Sequence, residues 1–529
     1  MYESKYILET PVSYRKDYGQ FFTPVSVAHL MADWVMKDGA KTILDPAFGL
    51  GVFYEEIRKT SPHTKVQFTG YEIDGHVLSY FKLNGSETNL RIINDDYFEA
   101  DLSKYDGIIC NPPYMRFQKF LTRHNILPKI EEKIGKRLVG YSNTSSVFLV
   151  KALKELNSHG RLAFIMPFEF FNTGYGEKIK KSLLEGHLLK QIIIFSNEKE
   201  IFPDATTTVC VLLCKNDGIE DSIKITLIDN KEKIDAIDDI SNFYQREIKS
   251  SDLPYKKKWS PIIFSLFSEV TIPDDFCQVN QYGAFKRGIA TGANEFFALT
   301  KSKIEELYLS KNNICKCITK SSQIKKAVFN ENDFFALYNT DKPVHCLDVK
   351  DHKDKSTEKY IKLGEQQGMH KRYLTKTRTP WYKIERRRPA PFLFGVFSRG
   401  RLKVIRNYST AINFTCYHSF YPNLFGQRYI NKIFVYFLSD IGQSIIKMNK
   451  RSYGDNLDKL EPGDLNECLC PNQEKFALIE ESEAEEVIET AKSNEELAIQ
   501  MSNELIKRTI KCQQGVLPER YSSAIHSGC

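Results

Sequence analysis

Hydrophobic residues between positions 41 and 215 form short runs of strand length, separated by turn residues and by longer stretches with helical spacing. Runs such as IIIF, which are apolar at every position, are typical of strands covered by helices on both faces. Such alternation predicts an α/β fold with a doubly wound, Rossmann-like sheet of seven strands. Only a short segment joins the last two runs, so we expect the last strand to pair antiparallel. The predicted strands are 41–45, 66–73, 90–94, 105–110, 160–167, 189–195 and 206–214.

After about residue 215 the alternation stops, and aromatic, basic and Gly/Pro-punctuated segments replace it until about residue 470. The Glu-rich stretch that follows has apolar residues at helical spacing, which predicts one or two amphipathic helices. We therefore predict an α/β domain, a connecting region, a mixed α+β domain and a helical carboxy-terminal segment. Their respective bounds are 1–220, 221–279, 280–470 and 471–529.

The composition, with 42% hydrophobic and 27% charged residues, is that of a soluble globular protein. No apolar run is long enough to span a membrane, and the first residues lack the features of an export signal. We therefore expect a cytoplasmic protein that has no membrane contact. The twelve cysteines form neither a CxxC pair nor a Cys/His cluster with zinc spacing, so we expect no metal site.

The net charge of +7 is unevenly distributed along the chain. Between Lys371 and Arg406 there are twelve lysines and arginines against one acid, Glu385. This window therefore carries +11 and the rest of the chain carries −4. A basic segment within an otherwise slightly acidic protein is the pattern expected for contacts with nucleic-acid phosphates.

The segment from Ile43 to Phe53 has an acid at the end of a predicted strand, then small residues and two glycines that open a helix. A ligand at the carboxyl end of a strand needs the backbone to approach closely, which small residues permit. Plain tight turns also use such glycines. The residues of this segment that we predict to bind a cofactor are Asp45, Pro46, Ala47, Gly49 and Gly51.

Two further acids follow the next predicted strands. Glu72, which precedes Ile73, lies where an acid accepts hydrogen bonds from a ribose diol. Asp96, which precedes Tyr97, is placed to accept from an adenine amine. Three acids at three successive strand ends, without a P-loop lysine, suit a nucleoside better than a triphosphate. A nucleoside that carries a positive sulfonium fits this set.

The fourth predicted strand leads directly into Asn111-Pro112-Pro113-Tyr114. Two prolines remove two N–H donors, so carbonyl groups and the Asn111 side-chain oxygen dominate the polar surface of the loop. If Asn111 Oδ1 and the Pro112 carbonyl accept both hydrogens of a planar NH2 group, charge is held on its nitrogen as it attacks a methyl group. Tyr114 offers a stacking surface for a base flipped out of a duplex. A plain proline-rich turn is the alternative interpretation.

These segments together resemble the γ-class N6-adenine DNA methyltransferases of bacterial restriction–modification systems, in which cofactor segment, catalytic segment and target-recognition domain follow in this order. The resemblance covers about residues 15–215 and includes the segments GQFFTP at 19–24 and Ile201-Phe202-Pro203. It implies S-adenosylmethionine as methyl donor and S-adenosylhomocysteine as product. It also implies transfer to adenine N6 in a flipped-out base of a specific duplex DNA sequence.

The resemblance also implies roles for particular residues. Thr23 belongs to the segment that closes over the methionine end of the cofactor, and Phe202 holds the flipped base against Tyr114. From the sequence alone, Phe202 could equally be a core residue. Asp95 and Asp96 are adjacent, and we choose Asp96 because it directly precedes Tyr97-Phe98, as the acid of the family precedes an apolar pair.

By the same resemblance, residues 1–220 form the catalytic domain and residues 280–470 the target-recognition domain. Arginine and lysine position such a domain on phosphates, whereas a few Arg, Asn or Gln side chains read base edges. The sequence does not distinguish the two roles. The candidate DNA-contacting residues are Lys286, Arg287, Asn294, Trp381, Arg386, Arg387, Arg388, Arg399 and Arg401.

Other methyltransferases act on similar planar amines. N4-cytosine DNA methylation and RNA adenine methylation stay open as alternatives, with methylation of a protein glutamine less well supported, because those enzymes lack a large basic carboxy-terminal domain. The length of that region favours built-in recognition over a modification subunit that needs a separate specificity protein. We therefore expect a monomer that acts on double-stranded DNA and protects it from a cognate restriction endonuclease, which need not contact it.

Overall fold

The structure is a computed structural model, and it describes most of the chain. The described residues are 2–60, 65–82, 89–114, 123–134, 144–174, 176–195, 201–202, 208–228, 234, 243, 245–267, 275–351, 353–453 and 457–511. The chain divides into two compact units. The first comprises Met1–Phe267 and Ser452–Asp455, and the second Ser268–Arg451 and Asn456–Cys529.

One mixed sheet forms the centre of the first unit. All seven predicted strands are present in it, within a few residues of their predicted bounds. The strands are β1 (Thr42–Asp45), β2 (Gln67–Tyr71), β3 (Leu90–Ile93), β4 (Tyr105–Cys110), β5 (Leu156–Pro167), β6 (Leu189–Phe195), β7 (Val209–Lys215), β8 (Ile223–Ile228) and β9 (Gln245–Ile248).

The strand order in the sheet is β3-β2-β1-β4-β5-β7-β6-β8-β9. Strands β1 to β5 are mutually parallel where they pair. Strand β7 is antiparallel to both β5 and β6, which confirms the predicted antiparallel pairing. The number of strands was predicted wrongly, because β8 pairs parallel with β6, and β9 pairs antiparallel with β8.

The two extra strands come from the segment predicted as a connecting region. Strand β9, QREI, has three polar residues out of four, so it carries no hydrophobic run that a sequence pattern could detect. Strand β8, IKITLI, is interrupted by Lys224 and Thr226, and charged residues follow it. Both strands form because an existing sheet edge offers backbone hydrogen bonds, which is a tertiary effect.

Helices cover both faces of this sheet. Neighbouring residues of one strand belong to different hydrophobic clusters. Ile43 and Ile109 pack in one cluster, whereas Leu44 and Ile108 pack in the other. This alternation follows from the two-residue period of a strand. The helices of the first unit are α1 (Tyr2–Glu9), α2 (Val12–Tyr18), α3 (Val25–Met36), α4 (Val52–Thr60), α5 (Gly75–Leu78), α6 (Arg123–Ile134), α7 (Thr144–Glu155), α8 (Gly176–Glu185) and α9 (Ser260–Ser265).

Helices α3 and α4 belong to one of the two clusters, and α7 and α8 to the other. The parallel strands β1 to β4 all end at the same edge, because they run in one direction. Asp45 is the last residue of β1, and Asn111 directly follows β4. The sheet therefore brings together strand ends that are far apart in the sequence, as expected for an open α/β sheet that binds its ligand there.

Smaller sheets form the second unit. One five-stranded sheet has the order β11-β20-β16-β18-β14, and a four-stranded sheet has the order β12-β15-β13-β19. The strands after residue 268 are β10 (Phe276–Gln278), β11 (Gly283–Arg287), β12 (Ala298–Leu299), β13 (Ile314–Ile318), β14 (Val328–Phe329), β15 (His345–Leu347), β16 (Phe392–Gly395), β17 (Phe397–Ser398), β18 (Val404–Asn407), β19 (Ile412–Asn413), β20 (Tyr417–Pro422), β21 (Arg451–Tyr453), β22 (Leu457–Lys459) and β23 (Leu469–Pro471).

The carboxy-terminal helices belong to the core of the second unit. Val487 and Ile506 lie in the same buried cluster as Phe392 and Phe420 of the five-stranded sheet. In the described part of the chain, no helix has both the length and the apolar character needed to cross a membrane. The helices of this unit are α10 (Asn294–Phe297), α11 (Lys301–Glu306), α12 (Glu331–Asn339), α13 (Lys355–Gln366), α14 (Ile430–Leu438), α15 (Asp440–Lys447), α16 (Pro462–Asn466), α17 (Gln473–Ala477), α18 (Glu481–Ala491) and α19 (Glu495–Lys511).

Candidate active site

A cavity of about 650 Å³ lies in the first unit, where residues that follow β2, β3 and β4 form part of its wall. Its size is within the range of about 300–1,000 Å³ that is common for small-molecule sites. Most of the predicted cofactor-binding residues line it, together with two residues of the predicted catalytic loop, Asn111 and Pro113. These residues are Thr23, Pro46, Ala47, Gly49, Glu72, Ile73, Asp96, Tyr97, Asn111 and Pro113.

Asp45 and Gly51 are not part of the cavity wall. The Asp45 side chain is fully buried, its Oδ1 accepts a hydrogen bond from the Ala47 N–H at 3.1 Å, and burial raises its pKa well above the usual range. Gly51 has a φ of +79°, and a Cβ there would lie 2.6 Å from the Phe81 ring and 2.9 Å from Phe48. Both residues thus shape the turn beneath the cavity, and direct cofactor contacts from them stay a prediction.

Glu72 links the turn after β1 to the end of β2. Its Oε2 accepts a hydrogen bond from the Gly49 N–H at 2.9 Å, and its Oε1 accepts one from the Asp74 N–H at 2.9 Å. Burial raises the pKa of this carboxyl group. A carboxylate has about four acceptor positions, so two bonds leave Glu72 capacity for a ligand. Gly49 has a φ of +55°, and a Cβ there would meet no atom closer than 4.0 Å.

Both acids after β3 are at the cavity wall. Asp96 is half-buried, its Oδ1 accepts a hydrogen bond from the Phe98 N–H at 2.9 Å, and burial raises its pKa. Asp95 is exposed, and its Oδ1 accepts from the Asp96 N–H at 2.7 Å. Which of the two carboxylates meets a ligand stays a prediction.

The cavity is strongly acidic. Among the described residues, one lysine, Lys129, lines it, and its ammonium group is 3.0 Å from a carboxylate oxygen of Glu99. The sequence motifs do not contain three of these acids, because Glu3 and Asp17 lie in the amino-terminal helices and Glu99 follows the predicted acid Asp96 without a pattern of its own. An acidic wall of this kind favours a cationic ligand. The acids that line the cavity are Glu3, Asp17, Glu72, Asp95, Asp96 and Glu99.

The side-chain amide of Asn111 has a defined orientation. Its Nδ2 donates to the Phe21 carbonyl at 2.8 Å and to Thr23 Oγ1 at 3.0 Å. A backbone carbonyl can only accept, so the nitrogen must face Phe21. The Oδ1 atom is buried and has no hydrogen-bond partner among the described residues. An unsatisfied buried acceptor costs free energy, so this atom is suited to receive a donor from a ligand.

The remainder of the loop is held by its surroundings. Pro112 is buried, and the Pro113 carbonyl accepts a hydrogen bond from Thr144 Oγ1 at 2.6 Å. The Tyr114 N–H donates to the Gly19 carbonyl at 3.3 Å, and the ring centroids of Tyr114 and Phe21 are 5.6 Å apart. Burial raises the pKa of Tyr114 well above its usual range. The segment that contains Gly19 and Phe21 therefore supports the loop directly.

Phe202 lies in the core rather than on the cavity wall. Its side chain is 5% exposed, and its ring centroid is 5.3 Å from that of Phe195 at the end of β6. It belongs to the same hydrophobic cluster against which Tyr114 packs. Pro203 of the same segment lies outside the described residues. A contact between Phe202 and a flipped base stays a prediction.

Three of the arginines predicted to contact DNA are engaged within the protein. Arg287 pairs with Glu461 at 3.1 Å. Arg387 pairs with Glu385 at 2.6 Å and also donates to the Arg287 carbonyl. Arg401 pairs with Asp440 and donates to the Leu438 carbonyl. Part of the +11 window therefore serves the folding of the second unit.

The other predicted DNA-contacting residues are less constrained. Asn294 begins helix α10 and accepts a hydrogen bond from the Thr291 hydroxyl. Trp381 donates from Nε1 to Glu365 at 3.0 Å and packs 5.1 Å from the Phe296 ring. The exposed basic residues outside those three ion pairs are Lys286, Arg388, Arg399 and Arg386, whose Nε lies 3.9 Å from Asp348 Oδ1.

A second cavity, of about 580 Å³, lies within the second unit and was not predicted. Its floor includes the buried side chains of Ile324 and Phe329, and one acid, Asp333, lines it. We call it the lysine cleft. Among the residues that the structure describes, no carboxylate forms an ion pair with the four lysines of the cleft. These are Lys320, Lys325, Lys326 and Lys342.

Family models match both parts of the chain. The model described as "N-6 DNA Methylase" matches residues 1–279, and that of the "Type II methyltransferase M.Eco57I, C-terminal domain" matches residues 258–506. The type II methyltransferase M.AccI of Acinetobacter calcoaceticus is 34% identical over 537 residues, which cover 99% of this chain and 97% of that protein. M.HindII of Haemophilus influenzae is 28% identical, and the alignment covers 56% of this chain and 58% of that protein.

Among solved structures, a chain of the DrdV–DNA complex has a similar fold. The TM-score is 0.50 at 12% sequence identity, and the alignment covers 93% of this chain. It covers 59% of the DrdV chain, so this protein spans about three fifths of the length of that one. At this identity the similarity is one of fold alone.

Proposed function

The chain belongs to the N-6 DNA methylase family of type II restriction–modification methyltransferases, and on that premise we propose that it transfers a methyl group from S-adenosylmethionine to N6 of adenine. The substrate is a flipped-out base within a specific sequence of double-stranded DNA. The C–S bond of the sulfonium breaks as the N–C bond forms, and the other products are S-adenosylhomocysteine and a proton, which the methylated amine releases to solvent. The modified sequence is protected from a cognate restriction endonuclease, which need not contact the methyltransferase.

The observation that carries this proposal is the hydrogen bonding of the Asn111 side-chain amide. Its Nδ2 is occupied by Phe21 and Thr23, while its Oδ1 is buried and has no partner among the described residues. A donor that approaches along the cavity wall is the group that would complete this site. The exocyclic amine of adenine is such a donor, because its nitrogen carries two hydrogens in the plane of the base.

The residues of the acidic cavity fit S-adenosylmethionine. The described part of the cavity wall has six acids against one lysine, which suits a cationic ligand, and the space above Gly49 allows a ligand to approach the backbone. Glu72 would hold the ribose and Asp96 the adenine amine, with Ile73 and Tyr97 beside the base and Thr23 near the methionine end. When bound, S-adenosylmethionine supplies an electrophilic methyl group on a sulfonium.

The chain's own residues position and polarise the amine that is methylated. Asn111 Oδ1 accepts one N6 hydrogen and the Pro112 carbonyl accepts the other, which holds electron density on the nitrogen as it becomes positively charged. Because Phe21 and Thr23 fix the amide in advance, little reorganisation is needed when the base arrives. Tyr114 stacks on the flipped base, with Phe202 as a second aromatic contact, and this offsets part of the cost of unstacking, a few kcal/mol.

Contacts with the DNA backbone are proposed for two groups of residues in the second unit. The first is the exposed set of Lys286, Arg386, Arg388 and Arg399. The second is the lysine cleft, which is lined by four lysines without an ion-pair partner in the described chain and by the buried residues Ile324 and Phe329. Such groups release counterions when they bind phosphates, which favours association. Because methylation of one DNA strand at a time needs only one active site, we propose that the enzyme acts as a monomer.

A methyl-transfer assay with labelled donor tests the substrate class. The purified protein is incubated with duplex DNA, structured RNA or a cell protein extract in separate reactions. We expect label in duplex DNA, at a number of sites that saturates as one recurring sequence becomes modified. Label in RNA or in protein, with none in DNA, would overturn the proposed substrate.

A further inference from the structure

Asp74 joins three parts of the first unit that are distant in the sequence. It is 4% exposed, and its backbone N–H donates to Glu72 Oε1 at 2.9 Å. Its Oδ1 accepts from the Tyr14 hydroxyl at 3.0 Å and from the His76 N–H at 2.9 Å. Its Oδ2 accepts from Gln20 Nε2 at 2.7 Å. All four contacts are within normal hydrogen-bond distance.

The orientation of Gln20 follows from this arrangement. A carboxylate only accepts, so the nitrogen of the Gln20 amide must face Asp74. The opposite atom, Oε1, accepts from the Tyr6 hydroxyl at 2.6 Å. The next residue in the chain is Phe21, whose carbonyl accepts from Asn111 Nδ2 at 2.8 Å. Gln20 therefore holds the backbone that orients the catalytic amide.

These contacts form a continuous path from Glu72, the proposed ribose-binding acid, to Asn111, the proposed acceptor of the substrate amine. It runs from Glu72 through Asp74 to Gln20, then along one peptide unit to Phe21, and from there to Asn111. Buried hydrogen bonds to a charged group are stronger than bonds between neutral groups. Each bond restricts the positions of the two groups that it joins, so we expect a displacement at one end of the path to affect the groups at the other end.

We propose that the Asp74–Gln20 hydrogen bond is a positioning contact, which transmits the arrangement of the cofactor-binding edge at Glu72 to the amide of Asn111. Asp74 and Gln20 act through Asn111 rather than on the substrate itself. The inference rests on the proposed function, since it assigns Asn111 to the transfer step and Glu72 to the cofactor. It also explains why the segment before Thr23 must lie against the Asn111 loop when the amine of the substrate base is polarised.

A charge exchange between the two residues tests the contact. In Gln20→Glu, two carboxylates face each other at the position of the 2.7 Å bond, so the segment is pushed away from Asp74. In the double variant Asp74→Asn with Gln20→Glu, the amide of residue 74 donates to the carboxylate of residue 20, and the bond is restored with its direction reversed. Tyr14→Phe is the matched control, because it removes a hydrogen bond from the same carboxylate without touching Gln20.

Three quantities are measured for each variant: cofactor affinity by calorimetry, single-turnover methyl transfer at saturating cofactor, and amide hydrogen exchange at Tyr114, whose N–H donates to the Gly19 carbonyl. For Gln20→Glu we expect the transfer rate to fall at least about tenfold, which corresponds to about 1.4 kcal/mol. We expect the cofactor Kd to change less than about threefold and exchange at Tyr114 to accelerate. The double variant should recover most of the rate and of the protection, and Tyr14→Phe should stay within about twofold of the unmodified protein.

A purely structural role gives a different result: Gln20→Glu and Tyr14→Phe would lower the melting temperature similarly and leave the transfer rate at saturating cofactor unchanged, which would overturn the inference. Failure of the double variant to recover the rate would also overturn it. If the unmodified protein transfers no methyl group to DNA, the proposed function fails. The exchange measurement then still decides whether the Asp74–Gln20 bond holds the loop.

Discussion

At Asn111, the orientation of one side-chain amide decides what the loop can bind. Both hydrogens of its nitrogen are used by Phe21 and Thr23, and the oxygen is left as a buried acceptor. The sequence motif names the residue types of this loop but not the direction of the amide. That direction depends on a segment about ninety residues earlier in the chain. The chemistry of the site therefore belongs to the fold as much as to the motif.

Replacement of Asn111 by alanine removes this acceptor. We expect single-turnover methyl transfer to fall by about 100-fold or more, the loss seen when one preorganised polar group is deleted from an active site. Asn157→Ala is the matched control: it removes an asparagine that binds Asp106 at 2.8 Å, and Asp106 lies near the opposite end of β4. Its transfer rate should stay within about twofold. Full activity of Asn111→Ala would refute the role of this residue.

The acidic cavity predicts a dependence of cofactor affinity on pH. Burial raises the pKa of Glu72 and of Asp96, so both stay protonated to a higher pH than ordinary carboxyl groups. Without ligand, this protonation stabilises the folded protein at low pH, and the contribution is lost as pH rises through the raised pKa. A cationic ligand prefers the ionised groups, so its affinity should increase over the same range.

Calorimetry at about pH 5 and about pH 7.5 measures this linkage. We expect the Kd for S-adenosylmethionine to be lower at the higher pH. In Glu72→Gln combined with Asp96→Asn, binding should be weak and nearly independent of pH, because neither side chain titrates. An equally steep pH dependence in that variant would assign the effect to other groups.

Among the elements, helix α7 carries a buried ion pair beneath the cavity. Lys151 Nζ is 3.0 Å from Glu155 Oε1, and the two side chains are 0% and 2% exposed. Glu155 also accepts a hydrogen bond from the Tyr97 hydroxyl, and the Lys151 ammonium lies 3.8 Å from the Tyr97 ring centroid. Burial lowers the pKa of Lys151 and raises that of Tyr97. This cluster holds one wall of the cavity.

Lys151→Met leaves Glu155 buried without a cation. Such a loss is expected to lower the free energy of unfolding by about 3–5 kcal/mol. Helix α8 offers the matched control, because Lys181 and Glu185 have the same spacing at 3.3 Å but are 49% and 58% exposed. Lys181→Met should cost less than about 1 kcal/mol. If urea denaturation gave equal losses of unfolding free energy for the two variants, burial would not determine how much such an ion pair contributes to stability.

The sequence predicts those elements whose signal is local. Strands β5, β6 and β7 contain apolar runs such as LAFIM, IIIF and VCVLL, and they occur where the pattern predicts them. The loop from Asn111 to Tyr114 lies at a strand end, as expected. By contrast, β9 has no hydrophobic run, and it forms only because β8 provides an edge. Periodicity cannot detect a strand whose stability comes from its neighbour.

Contacts between distant residues mark the other limit of sequence-based prediction. Glu3 and Asp17 line the acidic cavity although no motif contains them. The bond between Asp74 and Gln20 joins residues that are 54 positions apart. Arg401 counts toward a basic window in the sequence, yet its guanidinium is engaged by Asp440 and Leu438. Composition reports how many charges a segment has, and only the fold shows which of them are used internally.

At the scale of the whole molecule, the lysine cleft adds residues outside the 371–406 window to those that we propose to contact DNA. Replacement of its four lysines by glutamine should weaken binding to duplex DNA of any sequence. The slope of log K against log salt concentration should become less steep by about 0.9 for each lost phosphate contact. Fluorescence anisotropy at several salt concentrations measures this slope.

Arg401→Gln is the control for that experiment. Because its side chain is held by Asp440 and Leu438, we expect this change to lower the melting temperature and to leave the salt slope unchanged. A salt slope that stays constant in the cleft variant, or one that decreases in Arg401→Gln alone, would contradict the assignment of the cleft to DNA phosphates.

The identity of the methylated atom tests the central claim most directly. Duplex DNA from a strain without methylation is incubated with the protein and S-adenosylmethionine, digested to nucleosides and analysed by mass spectrometry, and a second portion is sequenced as single molecules. The account predicts N6-methyladenine as the modified nucleoside, at one recurring sequence. N4-methylcytosine, or DNA without any modified base, would contradict it.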